Sequence, residues 1–329
     1  MKTLFIGGTG NISSACAAAL QAMGQEVYIL TRGRHSVPAG YHALVADRND
    51  PAAMQAAFQS ARPDVVVDFI AYDVPDVQAA FNLCRGRVAQ YIFISSATVY
   101  ARPAARLPLV EDAPLGNPVW EYAQKKVACE TWLRQRHAET QFPVTIVRPS
   151  HTYSQRWVPN VVSSSSYTVA ARLEAGKPVF VPDNGQNPWT LTAASDFAIG
   201  FAGLAGNPAA IGEAFHITGD EVLTWNQIYA EIAAAVGAKN PDIRQIPTDI
   251  ICQAAPHLVG TLKGDKTHPG LYDNSKLKRL VPAFRTRKPF HLGVRESVAW
   301  LRSHPDQQNL KPEIDQAINR ICACAALGC

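Results

Sequence analysis

The sequence contains no long apolar run. No stretch of its 329 residues approaches the ~20 consecutive apolar residues that a helix needs to cross a bilayer. The first apolar stretch follows Lys2 and Thr3, and we expect no secretory segment before it. We therefore expect a cytoplasmic protein without a membrane partner.

The sequence also lacks the cysteine spacing of a zinc site and the basic blocks of a nucleic-acid-binding protein. Its seven cysteines include no CxxC pair, and no histidines stand near them at ligand spacing. The net charge of +4 is small and is not concentrated in blocks. We expect most of the cysteines to be reduced thiols, and we expect no metal and no nucleic-acid partner. Cys322, Cys324 and Cys329 are expected to lie in a helical or frayed tail.

The remaining composition is that of a globular protein. Apolar residues make up 47% of the chain and charged residues 18%. A chain of 329 residues can bury a large core, either as one big domain or as two closely associated ones.

The N-terminal stretch combines an apolar strand, a glycine turn and the start of a helix. Residues 4–6 form the apolar run that a buried parallel strand needs, and Gly7 and Gly10 follow at once. Ser13 replaces the third glycine of the dinucleotide fingerprint, and a small residue still permits close packing of helix on strand. Such a turn lets a pyrophosphate approach the free N–H groups of a helix start. The pattern predicts a dinucleotide site, and an ordinary tight turn is the alternative.

The next two predicted strands end in residues that bear on the choice of cofactor. Where NAD-specific folds usually carry an acid, this chain has Arg32. An arginine there can face a 2′-phosphate and stack on adenine, which favours NADP; a surface arginine is the alternative. We expect Asp47, after the third strand, either to accept a hydrogen bond from the adenine amino group or to stabilise a turn.

Apolar strands and helices alternate through the first half of the chain. Residues 64–70 predict a strongly buried strand, residues 73–84 a helix and residues 91–95 another strand. Such alternation with short connections indicates a parallel sheet covered by helices on both faces. Ligands bind beyond the carboxyl ends of the strands in sheets of this kind.

Two hydroxyl residues and a Tyr–Lys pair form the candidate catalytic group. Ser96 and Thr98 follow the fifth predicted strand, and Tyr122 and Lys126 share one face of a later helix. A tyrosine with a pKa of ~10 is a poor acid or base at neutral pH. A lysine ammonium one turn away and a nearby serine hydroxyl favour the phenolate. We therefore expect a lowered tyrosine pKa and proton transfer to or from an alcohol oxygen.

Four motifs stand in one chain in a familiar order and spacing: GGTGNIS, SSATVY, YAQKK and RPSHTY. On these motifs the chain resembles the extended and atypical branch of the short-chain dehydrogenase/reductase superfamily, which contains nucleotide-sugar epimerases and dehydratases. The resemblance implies an α/β fold with a Rossmann-type doubly wound parallel sheet at residues 1–155. A smaller, mainly C-terminal substrate-binding region is expected at residues 156–329, with some segments returning to the nucleotide domain.

The same resemblance implies roles for individual residues. Ser96 would orient the substrate carbonyl with help from Thr98. Tyr122 would be the general acid/base, and Lys126 would hold the ribose and lower the tyrosine pKa. His151 is expected either to contact the substrate or to be a turn histidine satisfied by backbone. The residues expected to bind the cofactor are Gly7, Thr9, Gly10, Asn11, Ile12, Arg32, Asp47, Arg48, Ala71, Lys126 and Pro149.

The predicted activity is hydride transfer between NADP, with NAD as the alternative, and a carbinol or ketone carbon of a small-molecule substrate. A redox-neutral nucleotide-sugar epimerase or dehydratase is the alternative, and an inactive cofactor-binding or RNA-binding relative is a further one. Ser13, Ala101 and Ser154 stand where glycine is usual, which places the chain outside the best-known sugar-epimerase pattern and bears on the substrate more than on the reaction type. The resemblance also implies a possible homodimer through the helix of Tyr122.

Two later features have no firm assignment. Asp196 resembles the aspartate that starts a helix returning to the nucleotide domain, although a simple helix-start carboxylate explains it as well. The stretch Gly264, Asp265 and Lys266 is typical of atypical members of the superfamily, and no ligand is assigned to it.

Overall fold

The computed structural model describes residues 1–34, 36–163 and 165–327. Cys322 and Cys324 lie in the final helix, whereas Cys329 of the predicted tail is outside the described residues. In this part of the chain, no helix is both long and apolar enough to span a bilayer.

The strands are β1 (Lys2–Ile6), β2 (Glu26–Thr31), β3 (His42–Val45), β4 (Val65–Asp68), β5 (Gln90–Ile94), β6 (Val144–Pro149), β7 (His151–Tyr153), β8 (Val179–Pro182), β9 (Pro188–Ala193), β10 (Ala214–Ile217), β11 (Val222–Thr224) and β12 (Ile243–Ile246). The helices are α1 (Ser13–Ala22), α2 (Pro51–Ala61), α3 (Val74–Cys84), α4 (Glu121–Thr140), α5 (Thr168–Glu174), α6 (Ala194–Leu204), α7 (Trp225–Val236), α8 (Thr248–Ala254), α9 (Val259–Thr261), α10 (Ser275–Leu280), α11 (Phe290–Ser303) and α12 (Pro312–Leu327). Two short turns matter for the site, the 3₁₀ turn Ala97–Val99 and the π-helical turn Leu262–Lys266.

Seven parallel strands form the central sheet, in the order β10-β6-β5-β4-β1-β2-β3. Every residue of β4, β5 and β6 is buried, as expected for strands covered on both faces. The strand order reverses between β1 and β4, and this reversal opens a crevice at the carboxyl ends of the strands. The predicted Rossmann-type doubly wound sheet is confirmed.

Each face of the sheet is covered by its own set of helices. Helices α2, α3 and α4 bury one cluster of side chains that includes Phe58, Phe81 and Leu133. Helix α1 packs with α6 and α10 on the other face, where Phe201 and Leu277 are buried. Helices α6 and α10, like strand β10, come from the second half of the chain, so segments from beyond residue 155 do complete the sheet domain. The division at residue 155 itself stays a prediction.

The second half of the chain also builds a separate core. Phe180, Trp225, Tyr229 and Ile318 are buried in it. Two small sheets, β11-β9-β7 and β12-β8, border this core. Strands β7 and β9 were not expected: β7 has three residues, and β9 runs directly into helix α6. Their parallel pairing carries the chain from the end of β6 directly into the second core.

Candidate active site

The glycine turn after β1 is fixed by close packing and by one serine hydroxyl. Gly7 has a φ of 86°, and a Cβ at this position would lie 2.6 Å from Ile70 Cγ2. Only glycine meets both conditions. Ser13 is buried, and its Oγ accepts a hydrogen bond from the Gly10 N–H at 2.8 Å. Ser13, which replaces the third glycine, therefore stabilises the turn through this hydrogen bond and is also small enough to let the helix pack closely on the strand.

Asn11 joins the glycine turn to the second core. Its Nδ2 donates to Thr152 O at 2.9 Å, while its Oδ1 is buried without a hydrogen-bond partner in the described chain. A buried acceptor of this kind is stabilised by a ligand that donates to it. The start of helix α1 directs backbone N–H groups toward the same turn. These features fit a dinucleotide: a turn that a Cβ would block, a helix start and an unsatisfied acceptor. Thr9 and Ile12 belong to the same segment.

The residues at the ends of β2 and β3 have different surroundings. Arg32 is exposed directly after β2. Asp47 Oδ1 accepts a hydrogen bond from Asn49 N at 2.9 Å, which is the turn contact considered above as its alternative. An adenine contact from Asp47 and a phosphate contact from Arg32 stay predictions.

Arg48 is held by two carboxylates. Its Nη1 lies 3.1 Å from Asp68 Oδ1, and its Nε lies 3.0 Å from Asp76 Oδ1. Asp68 also accepts from the Tyr91 hydroxyl at 3.2 Å. The guanidinium thus braces the loop between β4 and α3, on which Ala71 lies. The predicted contact of Arg48 with the cofactor gains no support from this geometry.

Lys126 is buried beneath the crevice. Its Nζ donates to Ala71 O at 2.7 Å and to Ile94 O at 2.8 Å, and so it ties helix α4 to the ends of two neighbouring strands. Burial lowers the pKa of Lys126 to about 8. Ala71, predicted to contact the cofactor, serves here as an acceptor for this lysine.

Tyr122 lies one helical turn before Lys126 and interacts with Ser96. Burial raises the pKa of Tyr122 to about 12, although a hydrogen bond with Ser96 acts in the opposite direction. Ser96 Oγ accepts from Thr98 Oγ1 at 3.0 Å and from Thr98 N at 3.2 Å, which orients the serine proton away from this turn. The pKa of Tyr122 is therefore raised rather than lowered as expected, because desolvation outweighs the hydrogen bond with Ser96.

Two cavities meet at these hydroxyls. A cleft of about 470 Å³ runs from Gly7 and Gly10 past Lys126 to Pro149. A smaller pocket of about 280 Å³ adjoins it. Both are lined by Ser96, Tyr122, Pro149, Ser150 and His151. The structure therefore brings together the predicted catalytic group and most of the predicted cofactor residues.

His151 opens strand β7 and borders both cavities. Burial lowers the pKa of its imidazole well below the usual range, and the nearby charge of Lys266 acts in the same direction. The ring is neutral at physiological pH, and its centroid lies 6.3 Å from that of Trp225. His151 therefore lies in a strand rather than in a turn, and its contact with a substrate stays a prediction.

Sequence reasoning missed a buried polar network beneath the catalytic group. Arg148 Nη2 lies 2.5 Å from Glu130 Oε2, and Ser95 Oγ donates to Glu130 Oε1 at 2.5 Å. The Arg148 guanidinium also donates to the Tyr100 hydroxyl, which contacts His216. One signal was available, since an arginine inside the apolar strand β6 requires a buried partner.

The model of the NAD dependent epimerase/dehydratase family matches residues 3–84 and 77–218. A 2′-dehydrokanamycin reductase from Streptomyces kanamyceticus is 27% identical over 292 residues, which are 87% of this chain and 81% of the relative. A 3-diazoavenalumate denitrifying reductase from a Streptomyces species is 28% identical over 79% of this chain and 88% of its own. The chloroplast stem-loop binding protein of 41 kDa b from Arabidopsis thaliana is 26% identical over 74% of this chain and 65% of its own.

The fold also resembles solved structures of epimerases. The UDP-glucose 4-epimerase of Thermus thermophilus, solved in complex with NAD, superposes with a TM-score of 0.74 at 20% identity, covering 92% of this chain and 99% of that one. The predicted class of enzyme, an NAD(P)-dependent oxidoreductase or epimerase of the short-chain dehydrogenase/reductase type, is confirmed. With a family match that spans more than half of its length, the chain belongs to the NAD dependent epimerase/dehydratase family.

Proposed function

We propose that the protein reduces a ketone, or oxidises the corresponding alcohol, on a compact small-molecule substrate with NADP as its cofactor. The observation that carries this proposal is the position of Ser96 and Tyr122, which line both the cofactor cleft and the smaller pocket. A carbonyl held by these two hydroxyls faces the cofactor, while the rest of the substrate occupies the pocket.

The side chains have complementary tasks in this reaction. When bound, the nicotinamide dinucleotide supplies the hydride that the carbonyl carbon accepts. Tyr122 donates its proton to the carbonyl oxygen, and its raised pKa keeps it in the protonated form that reduction requires. Ser96 donates a hydrogen bond to the same oxygen. The Lys126 ammonium, 5.9 Å from the centre of the tyrosine ring, stabilises the phenolate that remains.

The preference for NADP rests on Arg32. It is exposed at the end of β2, in the place where an acid would bind the ribose hydroxyls of NAD. A guanidinium there pairs with a 2′-phosphate and repels nothing on the cofactor. NAD is the alternative cofactor, and it is the one bound to the Thermus relative.

A redox-neutral epimerase acting on a nucleotide sugar is the second candidate. Its substrate would carry two phosphates, which proteins bind with several cationic side chains or backbone N–H groups. The charged residues that line the smaller pocket in the described chain are Asp265 and Lys266, which face each other at 3.7 Å. The pocket therefore favours a substrate without phosphates, and two of the relatives are named as reductases rather than epimerases.

The cofactor carried by the purified protein tests the choice between these candidates. We expect mass spectrometry of the denatured protein to find little tightly bound nucleotide, and titration of NADPH to give tighter binding than NADH. Replacing Arg32 by Ser should remove this preference while leaving NADH binding unchanged. NAD retained through purification would support the epimerase and contradict the role given to Arg32.

Replacement of Tyr122 by Phe tests whether the protein is an enzyme that uses Tyr122 as its general acid. We expect turnover of a panel of ketones with NADPH to fall by at least ~10²-fold, as for loss of a general acid, with the Kd for NADPH unchanged. Tyr41→Phe removes an equal hydroxyl from a residue that does not line the cleft, and it should behave like wild type. If no ketone or alcohol is turned over by either protein, the competing outcome is a cofactor-binding protein, as the name of the stem-loop-binding relative allows.

A homodimer through helix α4 is part of the proposal. Light scattering at working concentration tests it, and a monomer would remove it.

A further inference from the structure

The smaller pocket contains a carboxylate that the proposed chemistry does not use. Asp265 and Lys266 reach its lining from the π-helical turn Leu262–Lys266. Single π-helical turns are rare and occur frequently at functional sites. Asp265 is 5% exposed, so its carboxylate is shielded from bulk water and needs partners within the fold.

One oxygen of the Asp265 carboxylate faces a charged side chain, whereas the other lacks a hydrogen-bond partner among the described residues. Asp265 Oδ2 lies 3.7 Å from Lys266 Nζ, and that ammonium in turn donates to Thr261 Oγ1 at 3.2 Å. Asp265 Oδ1 is buried and has no hydrogen-bond partner in the described chain. A buried acceptor oxygen without a donor is destabilising, and a ligand that donates to it removes that penalty.

Hydrogen bonds fix the turn that carries the Asp265 carboxylate relative to the turn that carries Ser96. Asn117 Nδ2 donates to Gly264 O at 2.7 Å and to Thr98 O at 3.1 Å, so one amide joins the π-helical turn to the turn that carries Ser96. Gly264 permits this approach, because a Cβ there would lie 2.9 Å from Trp120 Cβ. The Asp265 charge also contributes to raising the pKa of Tyr122, which places the two groups within electrostatic reach.

The charges around Asp265 favour a neutral hydrogen-bond donor on the ligand over a cationic group. Lys266 and Arg102 both act electrostatically on Asp265, so two positive charges already oppose one negative charge. A substrate ammonium would be repelled by them, whereas a hydroxyl would not. Trp120, Trp189 and Tyr272 complete the pocket with aromatic faces, which pack against a ring.

We propose that Asp265 is the specificity-determining acceptor of this site, and that its Oδ1 accepts a hydrogen bond from a neutral hydroxyl on the substrate ring. The substrate class is then a compact hydroxylated cyclic ketone and its alcohol. Lys266 and Asn117 are positioning residues for this carboxylate. The identity of the reacting carbon rests on the proposed function, but the binding contact does not.

Binding of simple ring alcohols tests the contact without turnover. With NADP⁺ present, ligand-observed NMR gives the Kd values of cyclohexanol, 1,2- and 1,3-cyclohexanediols, 2-aminocyclohexanol and 2-methoxycyclohexanol. We expect at least one diol to bind roughly tenfold more tightly than cyclohexanol, as for a hydrogen bond to a charged group. The methoxy compound retains an acceptor but lacks the second donor, so it should bind no better than cyclohexanol. The amino compound should bind less tightly than the best diol.

Binding to variant proteins tests whether the second hydroxyl of the diol contacts Asp265. Asp265→Asn should remove the preference for the diol, while Asp249→Asn, which changes an exposed acid paired with Lys263 at 2.6 Å, should retain it. Tyr122→Phe should also retain the preference. If the diols bind no better than cyclohexanol in wild type, or if Asp265→Asn keeps the preference, the proposal is overturned. The wild-type comparison of diol with methoxy ether decides the matter even if Asp265→Asn does not fold. Preserved binding without turnover of any ketone would refute the proposed reaction and leave this contact standing.

Discussion

At the scale of single residues, burial rather than neighbouring charge sets the protonation states of the catalytic group. Tyr122 and Lys126 are both desolvated, which raises the pKa of the acid and lowers that of the ammonium. The two carbonyls that accept from Lys126 Nζ fix its position but bring no negative charge to keep it protonated. These directions suit the proposed donation of a proton by Tyr122, with a lysine that loses its charge at mildly alkaline pH.

This arrangement predicts the pH dependence of reduction. Reduction needs a protonated Tyr122 and a charged Lys126. Because the pKa of Tyr122 is about 12, the first of these ionisations met on raising the pH is that of Lys126, near pH 8. We expect kcat/KM for reduction to be flat below this pH and to fall about tenfold per pH unit above it. Lys126→Arg keeps its charge, so its residual activity should lack this fall. The same decline in both proteins would exclude Lys126 as its source.

At the scale of secondary-structure elements, a buried ion pair joins helix α4 to strand β6. Glu130 lies one turn after Lys126, and Arg148 directly precedes Pro149 of the cofactor cleft. Both side chains are fully buried, at 0% exposure. Ser95, at the end of β5, donates to the same carboxylate. The pair thereby fixes the helix that carries Tyr122 against the strands whose ends form the site.

Breaking the ion pair between Glu130 and Arg148 should strongly destabilise the folded protein. Glu130→Gln leaves the Arg148 guanidinium without its counter-charge in the interior, so we expect the free energy of unfolding to fall by about 3–5 kcal/mol. The double variant Glu130→Leu, Arg148→Met removes both charges and should lose less than the sum of the two single variants. Urea denaturation followed by circular dichroism measures these values. Additive losses would show that the two side chains act independently.

The same elements explain how much could be predicted from the sequence. The strands of the central sheet, helix α4 and the group Ser96, Tyr122 and Lys126 are encoded locally, by apolar runs and by short motifs. Strand β7 was missed because it has three residues, and β9 because it runs directly into helix α6; their pairing joins residues about forty positions apart. Asp265 could not be placed at the site, because its approach to Ser96 depends on Asn117, 147 residues before Gly264. Neither periodicity nor a motif reports such long-range contacts.

At the scale of the whole molecule, the candidate active site lies where two separately packed cores meet. Ser96 and Tyr122 belong to the sheet domain, whereas Trp189 and Asp265 come from segments that border the second core. Asp196 in the first turn of α6 connects the two. Its Oδ2 accepts from the backbone N–H groups of Arg287 at 2.9 Å and of Lys288 at 3.0 Å, just before α11 enters the second core. The aspartate is therefore a tertiary anchor, and more than a helix-start carboxylate.

Removal of this anchor should affect substrate binding more than cofactor binding. Asp196→Ala leaves two N–H groups without their charged acceptor, so we expect the free energy of unfolding to fall by about 1.5–3 kcal/mol. Because the smaller pocket is lined by segments of both cores, while the glycine turn is built on the sheet domain and tied to the second core through Asn11, KM for the ketone should rise several-fold and the Kd for NADPH should change less. Asp242→Ala breaks an exposed ion pair with Arg244 and serves as the control, with an expected loss below about 1 kcal/mol. Thermal unfolding, steady-state kinetics and NADPH titration on the three proteins give these values. An equal loss of cofactor and substrate binding in Asp196→Ala would mean that the anchor supports the sheet domain itself, and that the two cores hold their relative position by other contacts.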